Sequence, residues 1–214
     1  MSKAKGFSTM KDRITIMAHD PGSKNYGLAV VTVELDRLDR SLSRKEKASH
    51  GPVAFAFTIR YLSKSSARFT DLKKPRLVAI ETWRYLQLVQ RLTRRFKVNL
   101  QIAERYMSRR MGGVTIELVN MMLGTLRAAC SDNQLSLRLI PASQWKNEAK
   151  RRGFQLDDVY RRAKPLGVSD HEIDAIFIAL YGAYTLMRRP PFFVKSPEKL
   201  VDALIRKLET LKDC

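Results

Sequence analysis

The segment that decides the fold reads Ile14-Thr15-Ile16-Met17-Ala18-His19-Asp20-Pro21-Gly22-Ser23-Lys24-Asn25-Tyr26-Gly27-Leu28-Ala29-Val30-Val31-Thr32-Val33. Residues 14–19 form a short β-rich run, Pro21-Gly22 forces a turn, and a second β-rich run resumes from Tyr26 to Leu35, which is a hairpin signature. By the alternation of side chains along a strand, Ile14, Ile16 and Ala18 share one face, and Asp20 falls in the same parity. An acid therefore stands at the C-terminal end of an apolar strand face. Asp before Pro-Gly also opens turns on its own account. Gly22 and Gly27 allow the backbone to turn tightly or to approach a phosphate.

Working outward, residues 37–51 are polar and charged and end at Gly51-Pro52, as expected of a basic surface loop. Val53 to Tyr61 reads as a third strand, and with no crossover helix before it the first three strands form an antiparallel meander. Leu77, Ile80, Leu86, Val89, Leu92 and Phe96 recur with helical spacing over 71–96, with Pro75 tolerated in the first turns. Val98 to Glu104 is a fourth strand, with Leu100, Ile102 and Glu104 on one face. Glu81 also follows an apolar triplet, but it belongs to the helical pattern and reads as a helix surface acid. A helix over 114–131, a fifth strand over 135–140, and helices at about 142–151, 155–164 and 170–188 follow, the last with Ser169 as its N-cap. Pro190-Pro191 breaks the chain before an amphipathic helix over 197–212. This divides the sequence into a tail (1–12), an α/β domain (13–188) and a C-terminal extension with one helix (189–214).

The 214 residues carry 40 Lys and Arg against 21 Asp and Glu, a formal net charge of +19. That excess exceeds what solubility requires and points to a polyanionic partner, nucleic acid by default, although a basic solubility strategy or ribosome association has the same composition. Cys130 and Cys214 are too few for a disulfide framework or a Cys-based zinc site, as in a reducing compartment. The N-terminus lacks the apolar core of a secretory signal. The longest apolar stretch, Ala175 to Met187, is too short to span a bilayer. The expected location is the cytoplasm, or a nuclear or viral replication compartment, with no membrane partner.

His171 and Asp174 lie three apart, so on a helix they share one face and reach one ion, with Asp170 and Glu172 as neighbouring substitutes. If Asp20, Glu104 and Asp174 met in one pocket, each like-charged pair at ~4 Å and an effective dielectric near 20 would cost roughly 4 kcal/mol. Such a cluster either raises its pKa values or binds a divalent metal. The order β, β, β, α, β, α, β, α, with acids ending the first and fourth strands and another on the last core helix, resembles the ribonuclease H-like superfamily. Asp20-Pro21-Gly22 with Asn25 and Gly27, Ile102-Ala103-Glu104, and His171-Glu172-Ile173-Asp174-Ala175 before Ile178-Ala179 are similar to the RuvC-type Holliday-junction resolvases over residues 13 to 187. The resemblance implies a five-stranded mixed sheet, three antiparallel strands then two parallel, flanked by helices. It also implies Asp20, Glu104, His171 and Asp174 as catalytic metal ligands for two Mg²⁺ or Mn²⁺ ions, with Asp20 bridging them, and a homodimer paired through the helix after Gly113. The implied reaction is paired, symmetric nicking of four-way or other branched DNA, leaving 5′-phosphate and 3′-hydroxyl ends. An RNA-processing nuclease of the same fold and a non-catalytic junction-binding protein are the alternatives.

Basic residues near these motifs are the expected DNA contacts: Lys24 in the first turn, Arg105, Tyr106, Arg109 and Arg110 after Glu104, and Lys146, Lys150, Arg151, Arg152, Arg161, Arg162 and Lys164 ahead of His171. The last seven form the densest basic segment and suit backbone phosphates rather than bases. Tyr106 could stack on an unpaired base, although family members often carry their aromatic three residues after the Glu, where this chain has Met107. Trp145 reads as a packing anchor.

Overall fold

The computed structural model describes residues 13–21, 26–34, 57–65, 75–105, 113–187 and 197–212. Strands β1 (Arg13–Pro21), β2 (Tyr26–Glu34) and β3 (Phe57–Ser65) are followed by helix α1 (Pro75–Phe96), β4 (Leu100–Arg105), α2 (Gly113–Asp132) and β5 (Leu137–Pro141). Four more helices' worth of chain closes the domain as α3 (Ala142–Arg151), α4 (Leu156–Ala163) with a short 3₁₀ turn at Lys164–Leu166, α5 (Asp170–Met187) and α6 (Pro197–Lys212). The sheet order is β3-β2-β1-β4-β5, with β1–β2 and β2–β3 antiparallel and β1–β4 and β4–β5 parallel. This is the five-stranded mixed sheet of a ribonuclease H-like fold.

Expected strand boundaries shift by a few residues: β4 starts at Leu100 rather than Val98, and β5 at Leu137 rather than Leu135. The third strand ends four residues later than the apolar run suggests, because pairing with β2 continues to Ser65 opposite Tyr26, so the partner strand's length sets its end rather than its own hydrophobicity. The first long helix is described over Pro75–Phe96, inside the expected span 71–96. Residues 53–56 and 71–74 lie outside the described residues, as do the loop 37–51 and the tail 1–12.

The alternation along the strands splits the core in two. Ile16, Ala18, Leu100 and Ile102 face α5, α3 and α6, packing on Ile173, Phe177 and Ala183 together with Leu200, Leu204 and Leu208. The C-terminal helix thus belongs to the same core as the sheet, and an Arg162–Asp202 pair at 2.6 Å ties it to α4. Met17, Leu28, Val30 and Ala103 face α1 and α2 through Val89, Leu92, Met122 and Leu126.

A polar network crosses this second face. His19 is fully buried, which pushes its pKa down to about 3 and keeps the ring neutral. Its Nε2–H donates to Gln101 Oε1 at 3.1 Å, so Nδ1 is left as an acceptor for the phenol hydroxyls of Tyr26 and Tyr85. Gln101 Nε2 donates in turn to Thr93 Oγ1 at 3.1 Å. The network fastens β1 and β4 to α1 immediately behind Asp20.

Candidate active site

Register brings the strand acids together. Ala18 pairs with Ile102 and His19 with Ala103 across the parallel β1–β4 ladder, so the next step along both strands sets Asp20 beside Glu104. Both lie at the C-terminal edge of the sheet, where the parallel strands deliver their ends.

The third element is the first turn of α5, capped by a Ser-x-x-Glu box. Ser169 Oγ and N both donate to Glu172 Oε2, at 2.7 and 2.8 Å, and the Glu172 N–H points back to Ser169 Oγ at 3.4 Å. Glu172 is thereby consumed as a cap and does not serve as a substitute ligand, while Asp170 is exposed on the same turn. The box turns His171 and Asp174 toward the sheet. Gly27, the partner of Asp20 across the hairpin, makes room for them: a Cβ there would sit closer than 3.0 Å to the backbone carbonyl of His171. A side chain opposite Asp20 would thus hold the helix off the strand.

The structure brings the four expected residues into one neighbourhood. His171 Nδ1 lies 2.5 Å from Asp20 Oδ2, and this bond raises the imidazole pKa despite partial burial. Glu104 is pushed up to about 7, chiefly by burial and then by the charge of Asp20, with Asp174 adding to the rise. Asp174 is also raised, first by burial, and Asp20 contributes. Three carboxylates feel one another in a recess. Asp20 and Asp174 are almost wholly enclosed, with side chains 9% and 10% exposed, whereas His171 (38%) and Lys146 (43%) form the open rim.

Each acid is held by a protein donor. Lys146 Nζ lies 3.0 Å from Asp174 Oδ2. Burial alone would lower the Lys146 pKa, but Asp174, Glu104 and Asp20 together outweigh it and hold the ammonium above its ordinary value. Tyr160 O–H donates to Asp174 Oδ1 at 2.5 Å, and the Trp145 indole N–H donates to Glu104 Oε2 at 2.9 Å. Among the described residues no three acidic or imidazole groups stand close enough, in this arrangement, to share one ion. The donor chemistry nevertheless fits a hard divalent cation: carboxylate oxygens whose mutual repulsion is only partly relieved, with a lysine ammonium in their midst supplying one positive charge.

Lys146, expected on the DNA-facing surface, is thus part of the acid cluster itself, and Trp145 and Tyr160 join it. None of the three carried a sequence signal for this role, since their approach depends on how α3 and α4 pack over the sheet edge. Glu81 pairs with Arg84 at 2.8 Å on α1, as a helix surface acid does. Of the other basic positions, Arg105, Lys150 and Lys164 are exposed. Arg151 and Arg152 both reach Glu148 at 2.8 Å, Arg161 pairs with Asp158, and Arg162 with Asp202. Lys24, Asn25, Tyr106, Arg109 and Arg110 lie outside the described residues.

No protein-family model matches the chain, and no curated protein matches it. Solved structures do. Thermus thermophilus RuvC superposes with a TM-score of 0.60 at 20% identity, covering 82% of this chain and 97% of that one. The same enzyme in complex with a Holliday junction substrate gives 0.58 at 20% identity, covering 81% and 96%. The yeast mitochondrial Holliday junction resolvase Ydc2 gives 0.50 at 13% identity, covering 92% and 84%. The chain shares the fold of these resolvases.

Proposed function

We propose that the chain is a divalent-metal-dependent endonuclease that resolves four-way or other branched DNA by paired symmetric nicks. The observation that carries the reading is the meeting of Asp20, Glu104, His171 and Asp174, remote in sequence, at one sheet edge of a strongly basic protein with a resolvase fold. When bound there, two Mg²⁺ or Mn²⁺ ions would supply a water of lowered pKa and neutralise charge on the leaving 3′ oxygen, giving 5′-phosphate and 3′-hydroxyl ends. Asp20, Glu104 and Asp174 would hold them, with His171 at the rim.

The chain's own residues do the rest. Tyr160 fixes one oxygen of Asp174, while Lys146 is free to exchange the other for a phosphate oxygen once the acids are neutralised by metal. Arg105, at the end of the same strand as Glu104, together with Lys150 and Lys164, lies on exposed surface suited to flanking phosphates. The pairs of Arg151, Arg161 and Arg162 with acids involve solvent-accessible arginines and are of small net worth, so these arginines can also turn to DNA, whereas Arg152 is largely enclosed with Glu148 and is held there. Symmetric nicking requires two sites related by a dyad, hence a homodimer. The exposed Trp83 on α1 and Met121 on α2 favour that helix pair as the contact. Among the described residues no helix is long and apolar enough to cross a membrane, in keeping with work on DNA in the cytoplasm or in a nuclear or viral compartment.

The test is a substrate panel: a labelled synthetic four-way junction, linear duplex DNA, duplex RNA and an RNA–DNA hybrid, each with Mg²⁺ or EDTA. The expected result is metal-dependent paired nicks in the junction alone. Preferential cutting of RNA would make the chain an RNA-processing nuclease, and junction binding without cutting would make it a binding protein.

A further inference from the structure

Trp145 lies one turn into α3, which begins directly after β5 and so overhangs the end of β4 where Glu104 projects. Its side chain is 1% exposed, and its ring is stacked on Phe177 (centroids 6.4 Å apart, planes at 28°), which is itself braced edge-on by Phe154 at 5.5 Å. The direction of the indole N–H is therefore fixed by the hydrophobic core. Indole offers one donor and no acceptor, so the buried N–H needs an oxygen, and the one it has is Glu104 Oε2 at 2.9 Å. The same ring presents its face to Lys146, whose Nζ stands 4.9 Å from the centroid. An aromatic ring is positive at its edge and negative over its face. One side chain thus holds the acid with its edge and the neighbouring cation with its face.

Resting on the metal-dependent reading above, we infer that Trp145 is a positioning residue: its N–H takes one oxygen of Glu104 and so sets the carboxylate's rotation, presenting Oε1 to a divalent cation. Partners of this kind, which touch a ligating side chain but not the ion, commonly change metal affinity by 10- to 100-fold when removed.

The test reads Mn²⁺ affinity from the electron paramagnetic resonance signal of the free ion, without reference to cleavage. Wild type, W145F, E104Q and the double variant are titrated, with thermal melts confirming that each is folded. A fifth protein carries benzothienylalanine at position 145 in a W83F background, which keeps the bicyclic ring and deletes only the N–H. The positioning role implies about a tenfold weaker Mn²⁺ affinity for W145F and for the isostere. No further loss, within twofold, is expected when W145F is added to E104Q, because the effect passes through Glu104. Wild-type affinity in the isostere, or an equal loss from W145F in the presence and absence of Glu104, would overturn it. If E104Q itself binds Mn²⁺ like wild type, it is the metal role of Glu104 that fails, and the positioning role falls with it.

Discussion

Replacing Glu104 by Gln should make the metal-free protein more stable above neutral pH. The Glu104 carboxyl, ordinarily near 4.5, titrates at about 7 in the fold because burial and then the charge of Asp20 penalise its ionised form. With the folded pKa raised above the unfolded one, the folded state binds the proton more tightly, so stability is fullest below 4.5 and is lost as pH climbs to about 7. At 1.36 kcal/mol per unit the full shift would correspond to about 3 kcal/mol, and the partial solvent access of the group reduces this to about 1–2 kcal/mol. Glutamine keeps an oxygen for the Trp145 N–H and carries no charge, so it escapes the penalty. Urea denaturation in EDTA from pH 4.5 to 8.5 should show the wild type weakening with rising pH and E104Q weakening less, the two curves diverging by about 1–2 kcal/mol above pH 7. His171 and Asp174 are raised in the same direction, so E104Q retains part of the slope. Parallel wild-type and E104Q curves would refute the argument, since Glu104 would then not be ionising against its neighbours. Mg²⁺ at about a hundred times its Kd should restore about 2.7 kcal/mol to the wild type at pH 8.

Gly27→Ala should cut turnover by about 100-fold, because the added Cβ drives the His171 backbone off β2 and a misplacement on the order of 1 Å costs that much; single-turnover cleavage of a junction checks it. His19→Leu should destabilise the fold by about 3 kcal/mol, measured in urea, since Gln101 and the Tyr26 and Tyr85 hydroxyls lose their shared partner inside the core. Junction affinity should fall steeply with salt: six to ten phosphate contacts imply a loss of about 10³–10⁵ between 50 and 200 mM, measured by fluorescence anisotropy with D20N in EDTA.

The strands and helices of this chain are legible because their signals are local. The parity of Ile14, Ile16, Ala18 and Asp20, and of Leu100, Ile102 and Glu104, already places both acids at the ends of apolar strand faces, and the β1–β4 register joins those ends. Ser169 reads as the N-cap of the helix that carries His171 and Asp174, whereas Glu172 reads as a spare ligand and only the folded turn shows it closing the cap. The end of β3 is harder to read, since pairing with β2 rather than the hydrophobic run decides it. The polar partners of the site are harder still. Lys146 reads as one more cation in a basic stretch, and only the packing of α3 over the sheet edge reveals that it faces Asp174. His19 sits next to Asp20 in sequence yet points to the opposite face, and its contacts with Gln101 and Tyr85 span 82 and 66 residues, beyond any periodic pattern.

The most direct measurement is a crystal structure of the protein grown with Mn²⁺ and examined by anomalous scattering. Anomalous peaks bonded to carboxylate oxygens of Asp20, Glu104 and Asp174 are expected, with Lys146 moved off Asp174. Full Mn²⁺ exposure that leaves no peak among these side chains, with Lys146 still bonded to Asp174, would rule out a metal centre there.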